Sequence, residues 1–241
     1  PRNISILKAK NLYREFGREI DIVGLVVDPE ESLIETLINE IGINIIQFHG
    51  NENLSKLLTL KSKYNIQIIK AINIHEGTDK AQLIELQNNM DYLLFDAPPP
   101  EHSVRPGGNG KHFDWNLIKN LEMNSNWILS GGLSPENIGD AIKITGANFV
   151  DVSSGVENNV GIKDNDLITK FIYNARNYME KNWEMDKLNS YKLGPDQNGR
   201  FGIFGGRLKN VTGNIIIELK TIDHPINTNL LVFAEYFWMN T

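Results

Sequence analysis

Apolar runs of strand length recur along the first 152 residues: 20–27 (IDIVGLVV), 43–48 (INIIQF), 66–72 (IQIIKAI), 92–95 (YLLF), 127–129 (WIL) and 147–152 (ANFVDV). They are rich in Ile and Val and barely alternate with polar residues, as expected of strands covered on both faces of a parallel sheet. Amphipathic stretches lie between them. Residues 30–41 put Leu33, Leu37, Ile38 and Ile41 on one helical face, and residues 135–144 do the same with Ile138, Ala141 and Ile142. The runs start at 20, 43, 66, 92, 127 and 147, one βα unit apart with extra length after the fourth. Six βα repeats predict an α/β barrel or a doubly wound sheet. Ligands in such folds sit at the carboxyl ends of the strands. The residues to inspect are therefore Asp28, His49-Gly50, Asn73, Asp96, Ser130-Gly131-Gly132 and Ser153-Ser154-Gly155.

A helix over 166–181 (DLITKFIYNARNYMEK) ends this pattern. Residues 186–207 are turn-rich, and residues 208–241 show no usable period. A domain boundary is expected near residue 182, with 183–241 an irregular tail.

Composition narrows the function. The chain of 241 residues carries a formal net charge of -6, which disfavours a general nucleic-acid surface. An anionic substrate must then be held by local donors. No cysteine is present, so there is no disulfide framework and no thiolate metal site. The five histidines show no metal-ligand pair at helical spacing. No apolar run reaches the ~18 residues of a membrane span and no signal peptide opens the chain, so the cytoplasm is the expected compartment.

Two glycine-bearing turns follow the last two strands. In Ser130-Gly131-Gly132-Leu133-Ser134-Pro135, Ser134 reads as an N-cap and Pro135 as the first helical residue. Glycines let backbone N–H groups approach a ligand, and a helix N-terminus favours an anion. Asp151-Val152-Ser153-Ser154-Gly155 adds further N–H groups and two hydroxyls. Either turn alone reads as a tight βα connection; together they predict a phosphate site. Asp96 ends a strand, where it serves either as a turn cap or as a partly desolvated general acid. His49 has the same kind of position. Arg2 has little local context. The Pro/Gly-rich stretch 98–111 could cover a site. Asp114 reads as a helix cap and Trp115 as packing.

Seven segments in order carry a resemblance: 23–29 (VGLVVDP), 45–52 (IIQFHGNE), 70–72 (KAI), 93–97 (LLFDA), 106–115 (PGGNGKHFDW), 129–138 (LSGGLSPENI) and 150–164 (VDVSSGVENNVGIKD). Over residues 1 to about 180 the chain resembles phosphoribosylanthranilate isomerase. The resemblance implies an eight-stranded (β/α)8 TIM barrel that performs an Amadori rearrangement of a phosphorylated small-molecule substrate in tryptophan biosynthesis, with no cofactor or metal. It assigns Asp96 as the general acid at the ring oxygen. Gly131, Gly132, Ser153, Ser154 and Gly155 match the phosphate cradle, and Asp151 matches an acidic residue lining the site. Arg2 matches an arginine facing the anthranilate carboxylate, and His49 matches the histidine of the family's Gln-Leu-His-Gly.

The resemblance also implies absences. The family's general base is a cysteine in a Lys-Ile-Cys-Gly segment on its first strand, and Arg2 falls in the loop after the second. The expectation is a barrel lacking its first two strands, with an open edge through which copies associate, and with little activity by itself. Residues 188–207 (LNSYKLGPDQNGRFGIFGGR) resemble the amino-terminal region of tryptophan synthase β chain, and 208–241 remain unassigned. Another phosphate-binding barrel, such as a sugar-phosphate epimerase or indole-glycerol-phosphate synthase, predicts metal ligands or a catalytic lysine at strand ends. A non-catalytic module that keeps the phosphate pocket is a further alternative. No partner among nucleic acids or membranes is expected.

Overall fold

The structure is a computed structural model that describes residues 4–17, 20–98, 113–119, 121, 123, 126–179, 192–195, 201–204 and 214–217. Strands β1 (Val23–Val26), β2 (Ile45–Phe48), β3 (Gln67–Asn73), β4 (Tyr92–Asp96), β5 (Trp127–Leu129) and β6 (Phe149–Val152) pair in chain order, all parallel. They curl as a six-strand half-barrel. Each of the six predicted runs overlaps one of these strands, with β3 and β4 running one residue further.

Helices α1 (Ile6–Phe16), α2 (Glu31–Glu35), α3 (Leu54–Tyr64), α4 (Lys80–Asn89), α5 (Asn116–Lys119), α6 (Ile138–Thr145) and α7 (Asn165–Met179) connect and flank the strands. Local chemistry sets their ends. Ser5, Asn53 and Asp79 cap α1, α3 and α4 by accepting hydrogen bonds from first-turn amides. The predicted helix over 30–41 forms, but α2 passes into a π-helical turn, Thr36–Ile41, that stops at Gly42 in the left-handed region (φ 99°).

The strands bury both faces. Ile46, Phe48, Ile68, Leu93, Phe95, Leu129, Val150 and Val152 face the helices in the main core, with Phe171 of α7 fully buried among them. Val23, Leu25, Ile69, Ala71, Leu94 and Ile128 form a separate cluster on the concave face, packed with Ile45, Tyr92 and Phe149. This double coverage is the physical reason for the non-alternating runs.

Residues beyond the boundary add three short strands, which corrects the expectation of a wholly irregular tail. β9 (Lys192–Pro195) and β10 (Phe201–Phe204) pair antiparallel, and β11 (Asn214–Ile217) lies parallel against β6. The sequence Asn-Ile-Ile-Ile favours extended backbone, and β6 would otherwise present a row of unpaired N–H and C=O groups. The edge beside β6, expected to be open, is therefore paired, and β1 is the other terminal strand of the seven-stranded sheet. Between β6 and α7 a small hairpin forms from β7 (Glu157–Asn159) and β8 (Ile162–Lys163).

Candidate active site

The two-residue period of a strand places the chemistry. Leu94, Ile45, Phe149 and Ile128 belong to the concave face. Two residues on, Asp96, Gln47, Asp151 and Ser130 share that face at the carboxyl ends, and His49 follows Gln47. Asp96, Gln47, Asp151 and Ser130 are all buried.

Asp96 is 4 % exposed. Its Oδ1 accepts from the Ala97 amide at 2.7 Å, and its Oδ2 lies 3.2 Å from His49 Nε2. The Gln47 side-chain nitrogen lies 3.0 Å from His49 Nδ1. An amide NH2 can only donate, so this contact makes Nδ1 an acceptor and leaves the proton on Nε2, facing Asp96. His49 N also donates to Val26 O at 2.9 Å, which extends the sheet ladder to the site.

On the other side stand the two glycine-bearing turns. Gly131 and Gly132 both have positive φ (85° and 66°), which turns their peptides sharply after β5. Neither glycine amide donates a hydrogen bond among the described residues. A Cβ on Gly131 would lie 2.5 Å from Ala97 N and 3.0 Å from Asp96 Oδ1, so this turn packs directly on the acid. Gly155 meets the first turn equally closely: its Cβ would lie 1.8 Å from Leu133 O. The two turns therefore converge. Ser154 and Gly155 sit in a 3-10 turn, Ser154–Val156, and Ser153 Oγ is buried with no hydrogen-bond partner among the described residues. Asp151 Oδ2 accepts from Ser130 Oγ at 2.7 Å, tying the two strands below the turns.

The cradle is braced from outside. Asn137 Oδ1 accepts from Ser134 N, and its Nδ2 donates to Gly132 O. Asn174 of α7 donates to Pro135 O, and Lys170 pairs with Glu136, holding that carboxyl below the usual carboxylate range. Lys163, in the 150–164 segment, is fully buried; it donates to Ser153 O at 2.7 Å and pairs with Glu157 at 2.9 Å. One expectation is corrected: α6 begins at Ile138 with Asn137 as N-cap, not at Pro135. Residues 135–137 form a turn that leads into the helix: Ser134 O accepts from Asn137 N at 3.3 Å and from Ile138 N at 3.0 Å, and the Asn137 side chain bonds back to Ser134 and Gly132. Ser134 Oγ still accepts from Glu136 N at 3.3 Å.

Asp114 acts as the expected cap, accepting from Asn116 N, and Trp115 is buried. Arg2 and most of the Pro/Gly-rich stretch 98–111 lie outside the described residues. Among the described residues no three acidic or histidine side chains cluster as a metal site, and no helix is long and apolar enough to cross a membrane.

Sequence reasoning gave no separate role to Gln47, Glu52, Lys70 or Ser130. Lys70 and Gln47 interrupt apolar runs at positions covered on both faces. That is the available signal, because such residues are buried only with partners.

Comparisons with known proteins identify the family and the fold. The model of the N-(5'phosphoribosyl)anthranilate (PRA) isomerase family matches residues 1–174. The N-(5'-phosphoribosyl)anthranilate isomerase of Paramagnetospirillum magneticum is 36% identical over 176 residues, covering 73% of this chain and 82% of the relative. That of Sinorhizobium fredii is 39% identical over 171 residues, 71% of this chain and 76% of the relative. Among solved structures, phosphoribosyl anthranilate isomerase from Thermotoga maritima superposes with a TM-score of 0.60 at 31% identity, covering 72% of this chain and 82% of that one. A phosphoribosyl anthranilate isomerase in complex with reduced 1-(o-carboxyphenylamino)-1-deoxyribulose 5-phosphate superposes with a TM-score of 0.57 at 30% identity, covering 72% and 80%.

Proposed function

Since this chain belongs to the N-(5'-phosphoribosyl)anthranilate isomerase family of tryptophan biosynthesis, we propose that its concave mouth binds phosphoribosylanthranilate and carries the acid half of an Amadori rearrangement. The observation that supports this most is the contact of the Gly131 turn with Asp96 on one side and with the Gly155 turn on the other. A phosphate held by amides of Gly131, Gly132, Ser153, Ser154 and Gly155 puts the attached sugar beside Asp96. These donors suit an anion in a chain of net charge -6 because they are fixed and local.

Asp96 serves as the general acid: a proton passes from its carboxyl to the ring oxygen as the C1–O bond breaks, and the anilino nitrogen's lone pair forms the Schiff base. Removal of the C2 proton then gives an enamine that tautomerises to the ketose. Asp151 and His49 line the mouth and orient the sugar, and Arg2 is assigned to the anthranilate carboxylate, which a guanidinium fork suits. The 241-residue chain contains no cysteine for the C2 step. Assayed by itself, it should bind ligand and turn over little or nothing. An isomerase assay of the purified chain, with and without a polypeptide bearing the Lys-Ile-Cys-Gly segment, tests both halves. Turnover only with the added segment supports the reading; full turnover by the chain alone overturns the assignment of the missing base.

The domain division at residue 182 and the likeness of 188–207 to a tryptophan synthase β chain stand as proposals.

A further inference from the structure

We infer that the buried pair Glu52–Lys70 consists of positioning residues that hold His49 against Asp96. Its function rests on the isomerase reading above, although its geometry does not. Lys70 points from β3 to the helix side of the sheet, opposite Phe48 of β2. Its ammonium donates to Gly50 O at 2.6 Å and to Phe48 O at 3.4 Å, so it grips the carbonyls on either side of His49. The same ammonium lies 2.9 Å from Glu52 Oε2. Glu52 in turn accepts from Gly50 N at 3.2 Å and from Asp28 N at 2.8 Å. Asp28 Oδ1 accepts from Asn51 N at 2.8 Å, which ties the loop after β1 to the loop after β2. Asp28 holds a positive φ of 43°, a conformation that non-glycine residues adopt at a cost.

The pair is almost sealed, with side chains 8% and 0% exposed. A buried ion pair is rarely more stable than apolar residues of the same size. What it adds here is direction. Five hydrogen bonds converge on the peptide groups flanking one histidine. The imidazole they carry meets Gln47 at Nδ1 and Asp96 at Nε2. If the clamp is removed, both ring contacts loosen together while the sheet remains.

The test uses the full chain and needs no ligand. Long-range proton–nitrogen NMR correlations, with His49 assigned through the variant His49→Gln, read the ring tautomer at mildly alkaline pH, where imidazoles are neutral. The unmodified chain should show one tautomer with the proton on Nε2. The double variant Glu52→Leu/Lys70→Met leaves no lone buried charge. In it the two ring-nitrogen signals of His49 should converge toward a tautomer average while those of His75 stay in place. Phe171→Leu, a core change away from the loop, should lower stability and leave the His49 signals unmoved. Unchanged His49 signals in the double variant would show that the pair only supports the fold, and the inference would be wrong. If that variant does not fold, Glu52→Gln removes the charge at equal size, with the same shift expected and the same absence of shift contradicting it. A chain that shows the single tautomer but does not bind the reduced product analogue would defeat the isomerase reading separately.

Discussion

Replacing Gly155 with alanine should disable ligand binding while leaving the fold in place. The new Cβ would lie 1.8 Å from Leu133 O, 2.8 Å from Leu133 C and 3.0 Å from Ser134 Cα. All three are backbone atoms, so no side chain can swing aside. Restoring ordinary van der Waals separation requires the two turns to part by about 1.5 Å. A phosphate held between them then keeps bonds to one turn only, since an N–H···O distance of about 2.9 Å becomes about 4.4 Å. Each hydrogen bond to a charged group contributes about 1.5–3 kcal/mol. Losing two at the low end of that range costs ~3 kcal/mol, on the order of 100-fold in Kd. Isothermal titration with reduced 1-(o-carboxyphenylamino)-1-deoxyribulose 5-phosphate reads this directly. Gly146→Ala serves as the control: that glycine has a positive φ (70°), which Gly155 does not, and has nothing within 4 Å of its Cβ position. It should lose about 1 kcal/mol of stability and no affinity. Equal affinity in Gly155→Ala and the unmodified chain would refute the convergence of the turns on the phosphate.

Three other perturbations follow from the same structure. Asp96→Asn should keep analogue affinity but lower complemented isomerase turnover by about 10²–10⁴-fold, the usual range for a lost general acid, as read by steady-state kinetics. Asp79→Ala removes the side chain that caps the Ala81 and Gln82 amides, and urea unfolding should show a loss of about 1 kcal/mol. Glu31 is held below the usual carboxylate range by hydrogen bonds from Lys63 and then Tyr64, so its small contribution is present above the unfolded-state pKa and fades as pH falls through the folded value. Glu31→Gln should therefore slightly flatten the acid limb of stability from the ordinary carboxylate range downward, and added salt should shrink the difference.

The six strands were legible because each is covered on both faces and so reads as an unbroken apolar run. The site was legible to the extent that a strand's period of two fixes which face Asp96 and Asp151 share. The paired glycine turns were also visible, since few other residues tolerate the φ values of Gly131 and Gly132. The helix start at Ile138 was not, because a turn over 135–137, bonded to Ser134 O, precedes it. The partnership of Glu52 with Lys70 was hidden for a different reason: the two residues sit 18 positions apart on separate elements and meet only through the parallel register of β2 and β3. The pairing of Asn214–Ile217 with β6 is likewise a matter of an available edge, which no local pattern announces.

A crystal structure of the chain with the reduced product analogue tests the reading of the mouth most directly. The phosphate should lie within hydrogen-bonding distance of amides from both turns, with the carboxyl of Asp96 turned toward the sugar oxygen that was once in the ring. A phosphate bound elsewhere on the molecule, or an analogue seated with Asp96 out of reach of its sugar, would contradict the account.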